Sequence, residues 1–373
     1  MAALVVGATV GTAMVTLDRQ AARRAEAPVV PIVAGGTDRV CADPASLEAR
    51  AGLVLVVGLP GVTKASDPLI DVLADVGVGG VMLRNENLLS LRQAKTLIAG
   101  LRHRLGEHLL VAVDEEGGRV TSMRALGSTT PSARRLGRAG PKAARAAGKE
   151  LGELAASIGV DWVFAPVVDI DGRASDGVIG DRSFGADAAT VIDAAGAFAQ
   201  GLHEAGVAAT IKHFPGHGSA DSEPHAGTTA DQRTRDDLLK ADIRPFDALI
   251  AQGAEAVMVG HVTYPNIWGP IPASLSPGIY QLLRQRGFTG LAITDAIGMG
   301  AIYNTWGFGE APGMALAAGA DAVLVTQGDR ALELRNGIVS AVRAGELDEP
   351  RLDDAVRRVL ALRGDDPSGT LCV

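Results

Sequence analysis

The unit that decides the fold is clearest at residues 316–326, which read LAAGADAVLVT. A stretch with helical periodicity ends at Gly319, and the apolar run Ala322-Val323-Leu324-Val325 follows it. Glycine readily adopts the left-handed conformation that closes a helix, and a run that is apolar on both faces is typical of a buried parallel strand. The segment therefore predicts a helix followed by a buried strand.

The same unit recurs along the chain. It is found at ADVGVGGVMLR (74–84), ASIGVDWVFAP (156–166), HEAGVAATIKH (203–213), AQGAEAVMVGH (251–261) and RQRGFTGLAITD (284–295). The apolar runs LVLVVGL (53–59) and LLVAVDEE (109–116) add two further strands. Eight strands that alternate with helices over roughly 310 residues predict an α/β fold, a single (β/α)8 barrel of the TIM type. An open doubly wound sheet is the alternative, but no Gly-x-Gly-x-x-Gly phosphate motif follows the first strand.

Composition restricts the class of protein. The chain has 373 residues, of which 47% are hydrophobic and 21% charged, so it can bury a large core. Its net charge is −8, and it has no basic stripe that could follow a phosphate backbone, which argues against nucleic-acid binding. Cys41 and Cys372 are too few for a disulfide scaffold or a cysteine-based zinc site. The sequence gives no indication of the oligomeric state.

The N-terminal segment differs from the rest of the chain. Residues 2–17 are apolar and uncharged, like the core of a signal peptide, but shorter than the roughly 20 residues that span a bilayer comfortably. No Lys or Arg precedes them. We expect an exported or membrane-associated protein, attached through this segment, with a cytoplasmic chain as the alternative. The predicted organisation is an apolar segment and linker over 1–45, a catalytic barrel over 46–364 and a tail over 365–373.

Polar residues follow one predicted strand after another. They are Asp114 after the third strand, Asp169 after the fourth, Lys212-His213 after the fifth, His261 after the sixth and Asp295 after the seventh. A single aspartate at such a position is often only a helix cap. A ring of acids and histidines at the carboxyl ends of barrel strands indicates an active site instead.

Five motifs, in order, carry a family resemblance. They are DEEGGRV (114–120), DRSFG (181–185), KHFPGHG (212–218) with His225 seven residues later, PASLSP (272–277) and TDAIGM (294–299). Together they resemble the β-N-acetylhexosaminidase branch of glycoside hydrolase family 3, from about residue 50 to 363. The resemblance implies a retaining exo-β-N-acetylglucosaminidase that acts on small glycans, with peptidoglycan fragments as the expected substrates.

The resemblance also implies roles for single residues. Asp295 matches the family's nucleophile, and His225 matches a histidine that serves as acid and base. In the family an Asp-Ser-His sequence orients that histidine, whereas Glu223-Pro224-His225 stands here. Glu223 keeps the charge but adds a methylene, and Pro224 restricts the backbone before it. The dyad is therefore expected to be built differently or to be weakened.

Four further residues match sugar-binding positions of the family. Asp114 is expected to hold sugar hydroxyls, Arg182 to reach the same subsite, and Lys212 and His213 to bond to the ring. Ion pairs between these cations and Asp114 or Asp169, which merely brace the barrel, are the alternative.

Other functions stay open beside this one. A histidine acid/base would not repel phosphate as a carboxylate does, so a phosphorylase is an alternative, and an impaired, sugar-binding protein is another. His213, His217, His225 and His261 could also surround zinc. The Pro-Gly turn between the first two does not form the helix that would bring such ligands together, so we expect no metal and no organic cofactor.

Overall fold

A computed structural model of the chain describes residues 45–171, 178–217, 227 and 229–371. Its main sheet contains eight parallel strands that lie where the apolar runs predict them. The strands are β1 (Leu55–Gly58), β2 (Gly80–Leu83), β3 (Leu110–Val113), β4 (Trp162–Val163), β5 (Ala208–Phe214), β6 (Ala256–Val259), β7 (Leu291–Thr294) and β8 (Val323–Val325).

The sheet closes into a barrel. Each strand pairs with its neighbours in the chain, and β8 returns to β1 with Leu55 opposite Val323. A parallel bridge joins Ile293 of β7 to Ala322, just before β8, and the Asp321 amide donates to the Ala292 carbonyl at 2.7 Å. The predicted (β/α)8 barrel is thus confirmed, and the open doubly wound sheet is excluded because no edge is left between β7 and β8.

Helices follow the strands and surround the barrel. They are α1 (Leu47–Leu53), α2 (Pro68–Val76), α3 (Leu91–Leu105), α4 (Ala133–Ala139), α5 (Pro141–Ile158), α6 (Ala188–Glu204), α7 (Arg235–Lys240), α8 (Ile243–Ala251), α9 (Pro265–Trp268), α10 (Pro277–Gln285), α11 (Gly300–Ala318), α12 (Ala331–Arg343), α13 (Glu349–Arg363) and α14 (Ser368–Leu371). Gly77 closes α2 with a φ of 73°, as the helix-Gly-strand unit predicts, because a residue with a Cβ pays a steric cost there.

The strands are apolar because both of their faces are buried, the inner face by barrel side chains and the outer face by helices. Trp162 of β4 has no exposed surface, and its ring packs edge-on against Phe164 at 4.9 Å. The loops after the strands are longer than those before them. Two of them form hairpins, Glu115–Gly117 with Val120–Thr121 and Thr263–Tyr264 with Gly269–Pro272.

Among the residues described, no helix is long and apolar enough to cross a membrane. The apolar segment at 2–17, most of the predicted linker and both cysteines lie outside the described residues. Export, membrane attachment and the three-part division of the chain therefore remain predictions.

Candidate active site

A cavity of about 340 Å³ opens at the carboxyl ends of the barrel strands. Its wall contains charged side chains from β5 and from the loops after β2, β3, β4 and β7, between apolar side chains of the barrel. The lining residues include Asp114, Arg182, Lys212, His213, Asp295, His217, Arg84, Met82, Met258 and Met299. All five predicted site residues that the structure describes therefore face one space.

The end of β5 presents two consecutive side chains to this cavity. Alternation along a strand would send Lys212 and His213 to opposite faces of the sheet. The pairing of β5 with β6 shifts here, because Lys212 lies opposite Met258 while Phe214 lies opposite Val259. His213 is thus the extra residue of a bulge, a feature that redirects side chains at barrel rims. The irregular register allows both the amine and the imidazole to line the cavity.

Lys212 is buried, and two carboxylates hold it. Its Nζ lies 2.6 Å from Asp114 Oδ1 and 2.6 Å from Glu116 Oε1. Arg182 reaches Glu116 as well, with Nε donating to Oε2 at 2.7 Å and a terminal nitrogen donating to Oε1 at 2.8 Å. Burial alone would raise the pKa of Glu116, but the charges of Arg182 and Lys212 lower it below its usual range. Glu116 therefore stays ionised and fixes both cations.

His213 has a fixed orientation. Its Nδ1 lies 2.7 Å from Oδ2 of Asp169, and the backbone amide of His217 donates to Oδ1 of the same carboxylate at 2.7 Å. Burial would raise the pKa of Asp169, but the neighbouring His213 and His217 and these bonds lower it. Because a carboxylate only accepts, Nδ1 carries the proton, and Nε2 is left facing Arg182 at 3.4 Å.

Asp295 follows β7 directly. Its amide donates to the Val259 carbonyl at 2.8 Å, and its Oδ1 accepts a bond from the Ala296 amide at 2.7 Å. Burial opposes ionisation of this carboxyl, but the charges of His261 and His213, the Ala296 amide and Lys212 outweigh it and lower the pKa of Asp295 to about 2. No hydrogen bond from a described residue reaches Oδ2. The side chain is thus an ionised carboxylate with one oxygen held by the backbone.

The histidines do not form a metal site in the part of the chain that the structure covers, where no three such side chains are arranged to hold an ion. The His261 ring lies between Ser274 Oγ at 2.7 Å and the Ala296 carbonyl at 3.0 Å. The His217 ring is buried in the cavity wall, and no described residue forms a hydrogen bond with its Nδ1. Burial lowers the pKa of His217.

The structure adds members that sequence reasoning left out. Glu116, in the motif DEEGGRV, holds both predicted cations, and Asp169, which the strand-end ring includes without a sugar-binding role, orients His213. The predicted ion pair of Lys212 with Asp114 is present, but Arg182 pairs with Glu116 rather than with Asp114 or Asp169. His225 and Glu223 lie outside the described residues, so their predicted roles stay predictions.

Comparison with known proteins shows the family of the chain. The sequence profile of the glycosyl hydrolase family 3 N terminal domain matches residues 47–362. The chain belongs to the β-N-acetylhexosaminidase branch of glycoside hydrolase family 3. Among its relatives are beta-hexosaminidase LpqI of Mycobacterium tuberculosis, 37% identical over 91% of this chain and 90% of the relative, and beta-hexosaminidase of Xylella fastidiosa strain M23, 41% identical over 78% and 87%.

Solved structures of family 3 glycoside hydrolases share the fold. A family member from Mycobacterium smegmatis superposes with a TM-score of 0.80 at 38% identity, over 87% of this chain and 98% of that one. A β-N-acetylglucosaminidase from Paenibacillus sp. strain FPU-7 gives a TM-score of 0.82 at 34% identity over 86% of this chain. This glycoside hydrolase spans 62% of the length of the Paenibacillus chain.

Proposed function

We propose that this glycoside hydrolase is a retaining exo-β-N-acetylglucosaminidase that removes terminal N-acetylglucosamine from small glycans, peptidoglycan fragments in particular, by double displacement. The observation that carries the proposal is Asp295, a carboxylate with a pKa of about 2 on the wall of a 340 Å³ cavity among Lys212, His213, Arg182 and Asp114. A volume near the lower end of ligand pockets, about 300–1,000 Å³, suits one sugar unit better than a long chain.

Asp295 is the proposed nucleophile. A carboxylate that stays ionised at neutral pH can attack the anomeric carbon of the bound sugar without first losing a proton. Its oxygen forms a bond to that carbon while the bond from the carbon to the leaving oxygen breaks, which gives a covalent glycosyl ester. The Ala296 amide, which donates to Oδ1 at 2.7 Å, fixes the rotation of the carboxylate during attack.

Asp114, Lys212, Arg182 and His213 are the proposed sugar-binding groups. Lys212 and Arg182 are already held by Glu116, so they need no reorganisation when sugar hydroxyls arrive. Asp114 is partly exposed and can accept bonds from hydroxyls while it keeps its contact with Lys212. A sugar of the wrong epimer would displace water from these groups without placing a hydroxyl where they can bind it, which is how such a pocket discriminates.

His225 is the proposed acid and base, and Glu223 its orienting partner. In the first step His225 gives a proton to the leaving oxygen. In the second it takes a proton from water, whose oxygen bonds to the anomeric carbon as the ester to Asp295 breaks. An imidazole with an ordinary pKa near 6.5 suits both transfers at neutral pH. The resemblance of KHFPGHG and the following loop to the family supports this assignment.

The test is a steady-state assay on an aryl N-acetylglucosaminide and the matching aryl glucoside. We expect the wild type to prefer the first, and Asp295→Asn to lose about 10⁴-fold or more in kcat, because no other group replaces a nucleophile. A glycosyl adduct on the wild-type protein, trapped with a fluorinated sugar and located by mass spectrometry, should lie on Asp295. An adduct on another residue, or full activity of Asp295→Asn, would refute the mechanism.

The same assay separates the alternatives. His225→Ala should lose more activity towards a poor leaving group than towards an activated aryl group, since only the former needs a proton. If phosphate increases turnover and the product is a sugar 1-phosphate, the protein is a phosphorylase. If the wild type is as inactive as Asp295→Asn while both bind N-acetylglucosamine, it is a sugar-binding protein.

A further inference from the structure

His261, which follows β6, takes no part in the proposed mechanism, yet its ring is held as firmly as those of the cavity. The side chain has no exposed surface. Nδ1 lies 2.7 Å from Ser274 Oγ, and Nε2 lies 3.0 Å from the carbonyl oxygen of Ala296. Burial of a polar ring is costly unless its polar atoms are bonded, and here both nitrogens are. The ring is therefore fixed in one orientation.

The bond from His261 to Ala296 has a fixed direction. A carbonyl oxygen only accepts, so Nε2 carries a proton and donates it. Nδ1 faces the hydroxyl of Ser274, which can donate to a neutral ring or accept from a protonated one. The link from Ser274 through the ring to the Ala296 carbonyl therefore persists in both protonation states of His261.

Ala296 connects this ring to the proposed nucleophile. Its amide donates to Asp295 Oδ1 at 2.7 Å, and its carbonyl accepts from His261 and also, at 3.0 Å, from the Met299 amide. The bond from Met299 lies within the turn that follows Asp295. The bond from His261 instead ties this turn to the end of the neighbouring strand, β6. The residue that orients the carboxylate is thus anchored from outside its own turn.

The motif PASLSP (272–277) supplies the hydroxyl that holds the ring. Ser274 is fully buried, its amide donates to the Gly260 carbonyl at 3.0 Å, and its carbonyl accepts from the Tyr280 hydroxyl at 2.9 Å. Because both backbone groups are held, Oγ has little freedom to leave His261. Neither His261 nor a residue of the motif is among those that line the catalytic cavity. The pair acts behind the cavity wall, out of reach of the sugar.

We infer that Ser274 and His261 are positioning residues for the nucleophile: Ser274 orients the ring, and the ring holds Ala296 so that its amide stays aimed at Asp295. The inference rests on the proposed function, because it takes Asp295 as the nucleophile. When protonated, the ring also places a positive charge near the carboxylate. Burial opposes ionisation of Asp295, and the charge of His261 is the largest influence that lowers its pKa.

Two substitutions of His261 test the inference. His261→Leu removes both bonds, whereas in His261→Gln the side-chain amide can still donate to the Ala296 carbonyl. Mass spectrometry follows the formation of the glycosyl adduct on Asp295 at a saturating concentration of the fluorinated sugar. We expect the rate constant to fall about 100-fold in His261→Leu, because misplacing a reacting group by about 1 Å has an effect of that size. His261→Gln should recover about tenfold of that loss.

A separate measurement of binding distinguishes positioning from general damage to the fold. The inhibition constant of N-acetylglucosamine should change less than about threefold in both variants, because His261 does not line the sugar cavity. The loss of rate should also be the same for good and poor aryl leaving groups, in contrast to His225→Ala. A merely structural role would weaken binding and lower the melting temperature along with the rate.

Ser274→Ala tests the pair without changing the ring. The rate constant of adduct formation should fall about fivefold, which corresponds to the loss of one neutral hydrogen bond. Ser276→Ala is the matched control, because Ser276 is a buried serine of the same motif whose side chain makes no capping hydrogen bond to the described start of α10. It should keep the wild-type rate.

The inference is overturned by a wild-type rate of adduct formation in His261→Leu, or by equal rates in Ser274→Ala and Ser276→Ala. If His261→Leu does not fold, the two serine variants decide. If the wild type forms no adduct on Asp295, the proposed function fails, and crystal structures then test the positioning by itself. Asp295 should lose its bond to the Ala296 amide in His261→Leu, or in Ser274→Ala where the first does not fold, and an unmoved carboxylate rejects the pair.

Discussion

The two ends of the barrel each place an aspartate among cations, and they do so in different ways. At the amino end, the buried Asp321 accepts from Arg351 at 2.7 Å, from Arg358 at 3.2 Å and from the Ala292 amide at 2.8 Å, and Arg284 binds it too. At the carboxyl end, Asp295 accepts one hydrogen bond, from Ala296, within the described residues.

The difference teaches how to separate a structural charge cluster from a reactive one. Both acids follow from barrel topology, since each lies at a strand end. Both carboxylate oxygens of Asp321 accept hydrogen bonds from protein donors. Asp295 lines a cavity, and only one of its oxygens accepts a hydrogen bond from a described residue. Cavity volume alone would point to the wrong end of the barrel as the active site. A cavity at the amino end measures about 870 Å³, whereas the catalytic cavity measures about 340 Å³. Its arginines are occupied by Asp161, Asp321, Asp354 and Asp365.

The largest change in stability is expected at the amino end of the barrel, around Asp321. Asp321→Asn should lower the free energy of unfolding by about 2–4 kcal/mol, because three arginines lose their shared anion. The value is below that of a fully buried cluster, since the arginine side chains are 21–27% exposed. Urea denaturation measures it. The activity per folded molecule should stay at the wild-type level, in contrast to Asp295→Asn.

Asp354→Asn is the matched control for that prediction. Asp354 binds two of the same arginines, Arg351 and Arg358, but its side chain is 43% exposed. Asp354→Asn should lower the free energy of unfolding by less than about 1 kcal/mol. Equal losses in the two variants would mean that burial of Asp321 does not set its contribution, and the contrast between the ends would lose its basis.

A smaller change in stability is expected when the pH is lowered. The pKa of Asp295 is lowered to about 2, below its ordinary value near 4, so the ionised form stabilises the fold above about pH 4. This contribution is lost as the pH falls from about 4 towards 2. Asp295→Asn lacks it, so its stability should decline less steeply than that of the wild type over that interval, in urea titrations at each pH. Parallel curves for the two proteins would contradict the lowered pKa.

The sequence predicts the barrel well because its signals are local. Each apolar run is buried on both faces, and glycines such as Gly77 and Gly159 follow the helices with φ of 73° and 92°. The ends of the strands are harder to predict from the sequence. β4 contains only Trp162 and Val163, and Pro166, which has no amide hydrogen, follows soon after. The strand-end rule still placed Asp114, Lys212, His213 and Asp295 in one cavity.

The pairing of charges was harder to predict, because it depends on which way a side chain points. Glu115 and Glu116 are adjacent, yet Glu115 bonds to Thr121, Ser128 and the Met123 amide, while Glu116 binds Arg182 and Lys212. The Gly117-Gly118 pair is a hairpin signal that would have indicated this alternation. The bond between His213 and Asp169 joins residues 44 positions apart and had no local signal.

The smallest effect is predicted where the amino-end cavity is most exposed. His203 lies on its rim with Nδ1 3.1 Å from Glu255, and the histidine side chain is 74% exposed. His203→Gln should change the free energy of unfolding by less than about 0.5 kcal/mol, because a solvated pair contributes little. Hydrolysis of the aryl N-acetylglucosaminide should be unchanged as well. A loss of kcat/KM in a variant that melts like the wild type would show that the larger cavity takes part in the reaction, and saturation of charges would then no longer distinguish the two ends.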